Sequence, residues 1–261
     1  MNTKKCPSCE SNVDTTLMIC GSCGWQFSSP ILSVTSSATL AGRAQTLARG
    51  VTRPNWICSD ACQLAVLVRD KSGSMKGQKA RDASSASLDL VGVLADPSNK
   101  DGFHCAVVDF DTAAKIIHPA TKATELVREM TDLKPGFHAG KTNITDGLAK
   151  ACEIVTGFTP VDTRKPLRPI VLLFSDGGHN VGKRPDAIAA SLKANADLIC
   201  IAFGKSADED DLRQWASPNL VTRCTSGAEL RKFFAAVGAT MQATRARGIN
   251  ATQALASLQA S

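Results

Sequence analysis

From Gln63 onward the sequence alternates between short apolar runs and longer stretches with helical spacing. The apolar runs include Leu64–Val68, Ile170–Phe174 and Leu198–Phe203, and each is followed by a stretch of helical spacing. Strands separated by helices of this length need crossover connections, which pair strands in parallel and cover both faces of the sheet. The alternation therefore predicts an α/β fold with a doubly wound, mostly parallel sheet flanked by helices.

Further segments extend the pattern along the chain. Cys105–Phe110 and Ala113–Ile117 predict a strand pair with a turn at Asp111 and Thr112. In doubly wound sheets ligands bind beyond the carboxyl ends of the strands, so polar residues just after strands are candidates for a functional site. The other predicted elements are a strand at Leu220–Cys224 and helices at Gly77–Leu94, Glu125–Leu133, Asp146–Val155, Pro185–Asn195, Asp208–Ala216 and Ala228–Gln242.

Four of the ten cysteines form two CxxC pairs near the amino terminus, namely Cys6 with Cys9 and Cys20 with Cys23. Two such turns supply four thiolates for a tetrahedral shell that suits Zn²⁺, with iron as a chemical alternative and a redox dithiol as the less favoured interpretation. A closed shell leaves no position for a reacting water, so the metal is expected to be structural. The arrangement resembles the zinc-ribbon families, and we expect a zinc ribbon over residues 1–27.

Residues 28–57 are rich in Ser, Thr, Ala and Gly, which predicts a linker with a short helical part. The formal net charge is +6, and outside two regions the basic and acidic side chains balance. A surplus scattered in this way is a weak signal for nucleic acid. It comes from Arg43, Arg49 and Arg53 in the linker and from Arg231, Lys232, Arg245 and Arg247 against Glu229.

The chain has no stretch that approaches the roughly 18 apolar residues of a membrane span. Its first residues are polar and contain cysteines, so they do not match a secretory signal. Cysteines at metal-ligand spacing also favour a reducing compartment. We therefore expect a cytoplasmic protein without a membrane partner.

Oxygen donors follow two of the predicted strands and precede one predicted helix. Asp70, Ser72 and Ser74 lie just beyond the first strand, Thr142 lies in a loop between helices, and Asp176 follows Ile170–Phe174. Hydroxyl and carboxylate oxygens without His or Cys suit a hard cation such as Mg²⁺, with Mn²⁺ or Ca²⁺ as alternatives. The sequence therefore predicts an open divalent-ion site at the carboxyl edge of the sheet.

These five residues resemble the metal-ion-dependent adhesion site (MIDAS) of von Willebrand factor A domains, and the resemblance covers about residues 60–242. We expect an A domain over residues 58–242 and a tail over residues 243–261. The resemblance implies that Ser72, Ser74 and, in the ligand-competent state, Thr142 coordinate the ion directly, while Asp70 and Asp176 hold its waters. A vacant position then accepts an Asp or Glu of a partner, because neutral hydroxyls leave most of the ion's charge uncompensated. Lysines near the same rim are expected to attract an acidic partner; they are Lys71, Lys76, Lys141 and Lys183.

The resemblance extends to bacterial A-domain proteins linked with tellurium-resistance and stress or phage-defence operons, which implies a kinase or a PP2C-type phosphatase as partner. The expected function is a non-enzymatic adaptor that binds a partner's acid through Mg²⁺, with the zinc ribbon as a second contact. The alternative is nucleic-acid binding through the ribbon and the linker arginines. Enzymatic activity is disfavoured, because the sequence contains no GxSxG elbow and Pro135 stands where a phosphate-binding loop needs its first glycine.

Overall fold

The computed structural model describes residues 3–5, 11–14, 61–129, 140–160, 164–176, 178–204, 207 and 209–258. The chain divides into two units, Met1–Arg53 and Pro54–Ser261. In the first unit β1 (Thr3–Lys5) and β2 (Asn12–Asp14) form an antiparallel pair. The expected zinc ligands and the expected linker lie outside the described residues, so those predictions stay predictions; they comprise Cys6, Cys9, Cys20, Cys23 and residues 28–57.

The second unit is built on a seven-stranded sheet. Its strands are β3 (Ala61–Asp70), β4 (Phe103–Phe110), β5 (Ala114–Lys122), β6 (Lys165–Pro166), β7 (Ile170–Ser175), β8 (Asp197–Phe203) and β9 (Val221–Cys224). The spatial order is β5-β4-β3-β7-β8-β9, and the two-residue β6 pairs with the start of β3. All described pairings in this sheet are parallel except that of β5 with β4.

Helices cover both faces of this sheet, which confirms the predicted fold class. The described helices are α1 (Gln78–Leu94), α2 (Ala123–Glu129), α3 (Ile144–Gly157), α4 (Asp186–Asn195), α5 (Glu209–Trp215), α6 (Gly227–Arg245) and α7 (Thr252–Ser257). The core has one layer on each face of the sheet. Buried side chains of α1, α2, α6 and α7 pack on one face, and those of α3, α4 and α5 pack on the other.

The central strand β3 shows why the sequence pattern was informative. All ten of its residues are buried, because helices cover both faces of a parallel sheet. Side chains alternate between the layers, with Leu67 in one and Val66 and Val68 in the other. The strand ends with the buried carboxylate of Asp70, which is thereby delivered to the carboxyl edge of the sheet.

Most elements differ from the predicted boundaries by a few residues, and the differences at β5 and at the end of the chain are the most informative. β5 continues past the predicted end at Ile117 to Lys122 and includes Pro119, which an edge strand tolerates because one side of its backbone needs no partner. At the other end of the chain α6 runs to Arg245, and a separate short helix, α7, buries Leu255 in the core. No helix in the described part of the chain has the length and apolar character needed to span a membrane.

Candidate metal centre

The candidate oxygen donors meet at the carboxyl edge of the sheet. β3 and β7 are neighbours in the sheet, so the end of β3 at Asp70 and the residue after β7, Asp176, belong to adjacent strands. The loop after β3 forms a single turn of 3-10 helix at Gly73–Met75 before α1 begins. The parallel pairing therefore brings together residues that are about a hundred positions apart in sequence.

The Asp70 carboxylate is held by two serines. One oxygen accepts the backbone N–H of Ser72 at 2.7 Å, and the other accepts the hydroxyl of Ser175, the last residue of β7. Burial raises the pKa of the Asp70 carboxyl above its ordinary value. The hydrogen bonds from these serines lower the pKa and so oppose this increase, whereas the Asp176 carboxylate adds to it. A nearby cation is the natural compensation for two carboxylates packed this closely.

Ser72, Ser74 and Asp176 form a continuous chain of oxygen atoms. The hydroxyl oxygens of Ser72 and Ser74 are 3.0 Å apart, and the hydroxyl of Ser74 donates to Oδ1 of Asp176 at 2.6 Å. Ser72 and Asp176 are buried, while Ser74 is exposed. This series of oxygen atoms therefore connects the interior of the site with solvent through Ser74.

The loop that carries Thr142 is hydrogen-bonded to the loop after β3 and to Asn180, which follows β7. The backbone N–H of Gly73 donates to the carbonyl of Gly140 at 3.3 Å, which connects this loop with the one after β3. The Asn180 side chain accepts the N–H of Thr142 at 2.8 Å, and the Asn180 backbone N–H donates to the Thr142 carbonyl at 3.1 Å. Thr142 itself is buried beside Ile144, where α3 begins.

The rim lysines differ in their surroundings. Lys76, Lys141 and Lys183 are exposed. Lys71 is half-buried, and its ammonium lies 3.6 Å from a carboxylate oxygen of Asp109. Part of the Lys71 charge is therefore offset within the protein, which explains how a lysine is accommodated inside the loop.

Sequence reasoning missed a cation that contacts the site directly. The ammonium of Lys79, the second residue of α1, forms an ion pair with Oδ2 of Asp176. Lysine in the first turn of a helix is unfavourable with respect to the helix dipole, and that position was the available signal.

A buried ion pair beside the site was also missed. Arg69 donates to Asp109 at 2.6 Å, and the two residues are register partners on β3 and β4. In the sequence each of them follows an apolar run, and only the pairing of the strands brings them together.

The donor set fits a hard divalent cation. Apart from the Lys79 ammonium, the side chains that converge here offer hydroxyl and carboxylate oxygens, the ligands that Mg²⁺, Mn²⁺ and Ca²⁺ prefer. Among the described residues there is no group of three or more His, Cys, Asp or Glu that could hold a metal. A metal at this edge would thus rely on serine and threonine hydroxyls as well as on the two carboxylates.

Comparison with known proteins agrees with the fold. The family model for the von Willebrand factor type A domain matches residues 65–236, more than half of the chain. Inter-alpha-trypsin inhibitor heavy chain H4 is 29% identical in Sus scrofa over 147 residues and 30% identical in Homo sapiens over 149 residues. Each match covers 53% of this chain and 15% of the relative, so the chain spans a small part of the curated relatives' length.

Solved structures give the same result. Proximal thread matrix protein 1 from the mussel byssus, with a zinc-occupied MIDAS motif, is 25% identical with a TM-score of 0.56 over 68% of this chain and 47% of that chain. A von Willebrand factor type A protein from Catenulispora acidiphila reaches a TM-score of 0.59 at 21% identity, over 70% of this chain and 43% of that chain. The second likeness supports the fold alone.

Proposed function

The chain belongs to the von Willebrand factor type A domain family, and from that premise we propose that it binds a partner protein through a divalent ion at the carboxyl edge of its sheet. The observation that carries the proposal is the oxygen chain from Ser72 through Ser74 to Asp176, with Asp70 buried beside it. The zinc-occupied MIDAS motif of the mussel protein supports a divalent metal at this place in the fold.

In this proposal Ser72, Ser74 and Thr142 hold the ion directly, and Asp70 and Asp176 hold its waters. Mg²⁺ is the expected ion, with Mn²⁺ and Ca²⁺ as alternatives. When bound, the ion supplies a positive charge that neutral hydroxyls do not cancel, and an Asp or Glu of the partner completes its coordination. The protein therefore needs no general base at the site, and we propose that it is not an enzyme.

The surroundings of the site favour an acidic partner. Lys76, Lys141 and Lys183 are exposed on the loops that carry the donors, so their charges extend the positive field of the ion. Lys71 belongs to the same partner-binding rim but contributes less, because Asp109 lies close to its ammonium. Steering by such lysines increases association rates more than it increases affinity.

We further propose the wider organisation of the chain. Residues 1–27 form a structural zinc ribbon that serves as a second interaction module, 28–57 a linker, 58–242 the A domain, and 243–261 a tail whose short helix α7 packs on the A-domain core. The protein is then a cytoplasmic adaptor, and a kinase or a PP2C-type phosphatase in a bacterial stress or phage-defence system is the proposed partner. These statements rest on the cysteine spacing and on the sequence resemblance.

The first experiment measures metal binding and partner capture together. Mg²⁺ titration by calorimetry on the full chain should show one site in the A domain, and Thr142→Ala should weaken it about tenfold or more, as loss of a ligand does. The matched control is Thr156→Ala, which removes a threonine hydroxyl that donates to helix carbonyls within α3.

Affinity purification with wild type and both variants, in Mg²⁺ and in EDTA, then tests the adaptor role. We expect partners that wild type and Thr156→Ala retain in Mg²⁺ and lose in EDTA, and that Thr142→Ala does not retain. Capture that is equal in Mg²⁺ and EDTA would contradict the proposal. Capture that weakens steeply with salt and depends on nucleic acid would favour the alternative function instead.

A further inference from the structure

Lys79 places an ammonium group beside one of the candidate metal-site carboxylates. Its ammonium pairs with Oδ2 of Asp176, whose side chain is only 1% exposed, while the Lys79 side chain is 35% exposed. The other oxygen of Asp176 accepts the Ser74 hydroxyl. Both oxygens of this carboxylate are therefore engaged by groups of the protein itself.

A glycine beside Lys79 leaves space for the end of its side chain. Gly204, just after β8, has a φ of +104°, and a Cβ there would lie 3.4 Å from both Cε and Nζ of Lys79. The end of the lysine thus lies beside Gly204, where a Cβ would be in contact with it. The ammonium is therefore close to three parts of the fold, namely α1, the residue after β8 and the residue after β7.

A divalent ion and this ammonium would compete for the Asp176 carboxylate. A divalent ion and an ammonium a few ångströms apart repel each other at the effective dielectric of a partly buried site. An ion whose waters are held by Asp176 must either share the carboxylate with Lys79 or displace its ammonium toward solvent. The partial exposure of Lys79 leaves a route for that displacement.

We propose that Lys79 is an internal competitor of the divalent ion, holding Asp176 when the metal is absent and lowering the affinity of the site for it. This inference rests on the proposed metal site and adds its regulation. The competition keeps the site weak for the ion alone, and a partner's carboxylate strengthens ion binding by adding a negative charge. Metal and acidic partner then bind cooperatively, each raising the affinity for the other by the same factor.

The test is Mg²⁺ titration of the full chain by calorimetry, with thermal unfolding in EDTA as a check on folding. Lys79→Met keeps an unbranched side chain against Gly204 and removes the charge, and we expect it to bind Mg²⁺ about tenfold more tightly than wild type. Lys79→Arg keeps the charge and should stay within about threefold of wild type. The matched control is Arg81→Met on the same helix, whose guanidinium contacts Gln78 and should leave the affinity unchanged.

The possible results distinguish failure of this inference from failure of the proposed metal-binding function on which it rests. Equal Mg²⁺ affinity in wild type and Lys79→Met, with Thr142→Ala weakened, overturns the competition and leaves the metal site intact. Weaker binding in Lys79→Met also overturns it, because the lysine would then position Asp176 for the ion. Absence of Mg²⁺ binding in both wild type and Lys79→Met overturns the competition and the metal site together.

Discussion

Gly147 is the residue at which the packing of α3 can be tested against the geometry of the site. A Cβ at this position would lie 2.9 Å from Cδ1 of Phe110 and 3.2 Å from Cγ1 of Val68. Both neighbours are buried in strands of the sheet, so neither can move aside freely. Gly147→Ala must therefore push α3 away from the sheet.

The size of the effect follows from two opposing contributions. Overpacking a tight core costs about 1–3 kcal/mol. Alanine in a helix interior gains about 1 kcal/mol over glycine from backbone entropy. The sum predicts that Gly147→Ala lowers the free energy of unfolding by about 1 kcal/mol. A Cβ at Gly157, the last residue of the same helix, would meet no packing neighbour among the described residues within 4 Å, so Gly157→Ala should be neutral or stabilising.

Urea unfolding followed by far-ultraviolet circular dichroism measures this difference. Thr142 lies just before α3, so displacement of the helix should also weaken Mg²⁺ binding in Gly147→Ala and leave it unchanged in Gly157→Ala. If Gly147→Ala were as stable as Gly157→Ala and bound Mg²⁺ like wild type, the close packing of α3 on the sheet would be refuted.

Three further predictions concern the start of α6 and the buried thiols. The backbone N–H and the hydroxyl of Thr225 hold the pKa of the Glu229 carboxyl below its ordinary value of 4.5, so the carboxylate stabilises the fold above that value. This contribution is lost as the pH falls through the lower folded pKa, and Glu229→Gln should show a smaller loss of urea midpoint on acidification. Ser226→Ala removes the cap that accepts the Glu229 N–H at 3.2 Å and should cost about 1 kcal/mol in urea unfolding; an unchanged midpoint would contradict the cap. Burial raises the pKa of the Cys105 thiol to about 12, so iodoacetamide should label half-buried Cys152 faster than Cys105 in peptide mapping, whereas equal rates would argue against this burial.

The fold was predictable because its strands are covered on both faces. A parallel strand between two helical layers buries every side chain, which leaves a continuous apolar run such as Leu64–Val68 in the sequence. Asp70 and Asp176 were predictable for a related reason, since a polar residue that directly follows such a run must lie at the carboxyl edge. The local sequence pattern, a polar residue that follows an apolar run, therefore located both carboxylates.

The remaining parts depend on contacts between distant segments. Lys79 reaches Asp176 and Asn180 binds Thr142 only because strands and loops far apart in sequence become neighbours. The periodicity of apolar residues within one helix or strand does not encode such pairs. The docking of α7 was equally hidden, because an Ala-rich segment with Leu255 as a buried anchor shows no helical stripe of large apolar residues.

The loops that carry the candidate donors are tied together by hydrogen bonds that do not use the donor side chains. Gly73 donates through its backbone to Gly140, and Asn180 holds both the N–H and the carbonyl of Thr142. Because these bonds fix the loops, metal binding need not order them, and we expect its main cost to be the competition with Lys79 for Asp176. Withholding Mg²⁺ without a chelator should therefore abolish partner capture while leaving the far-ultraviolet circular dichroism spectrum of the full chain unchanged. A large loss of helical signal without Mg²⁺ would mean that the ion, and not this hydrogen-bond network, holds the loops in place.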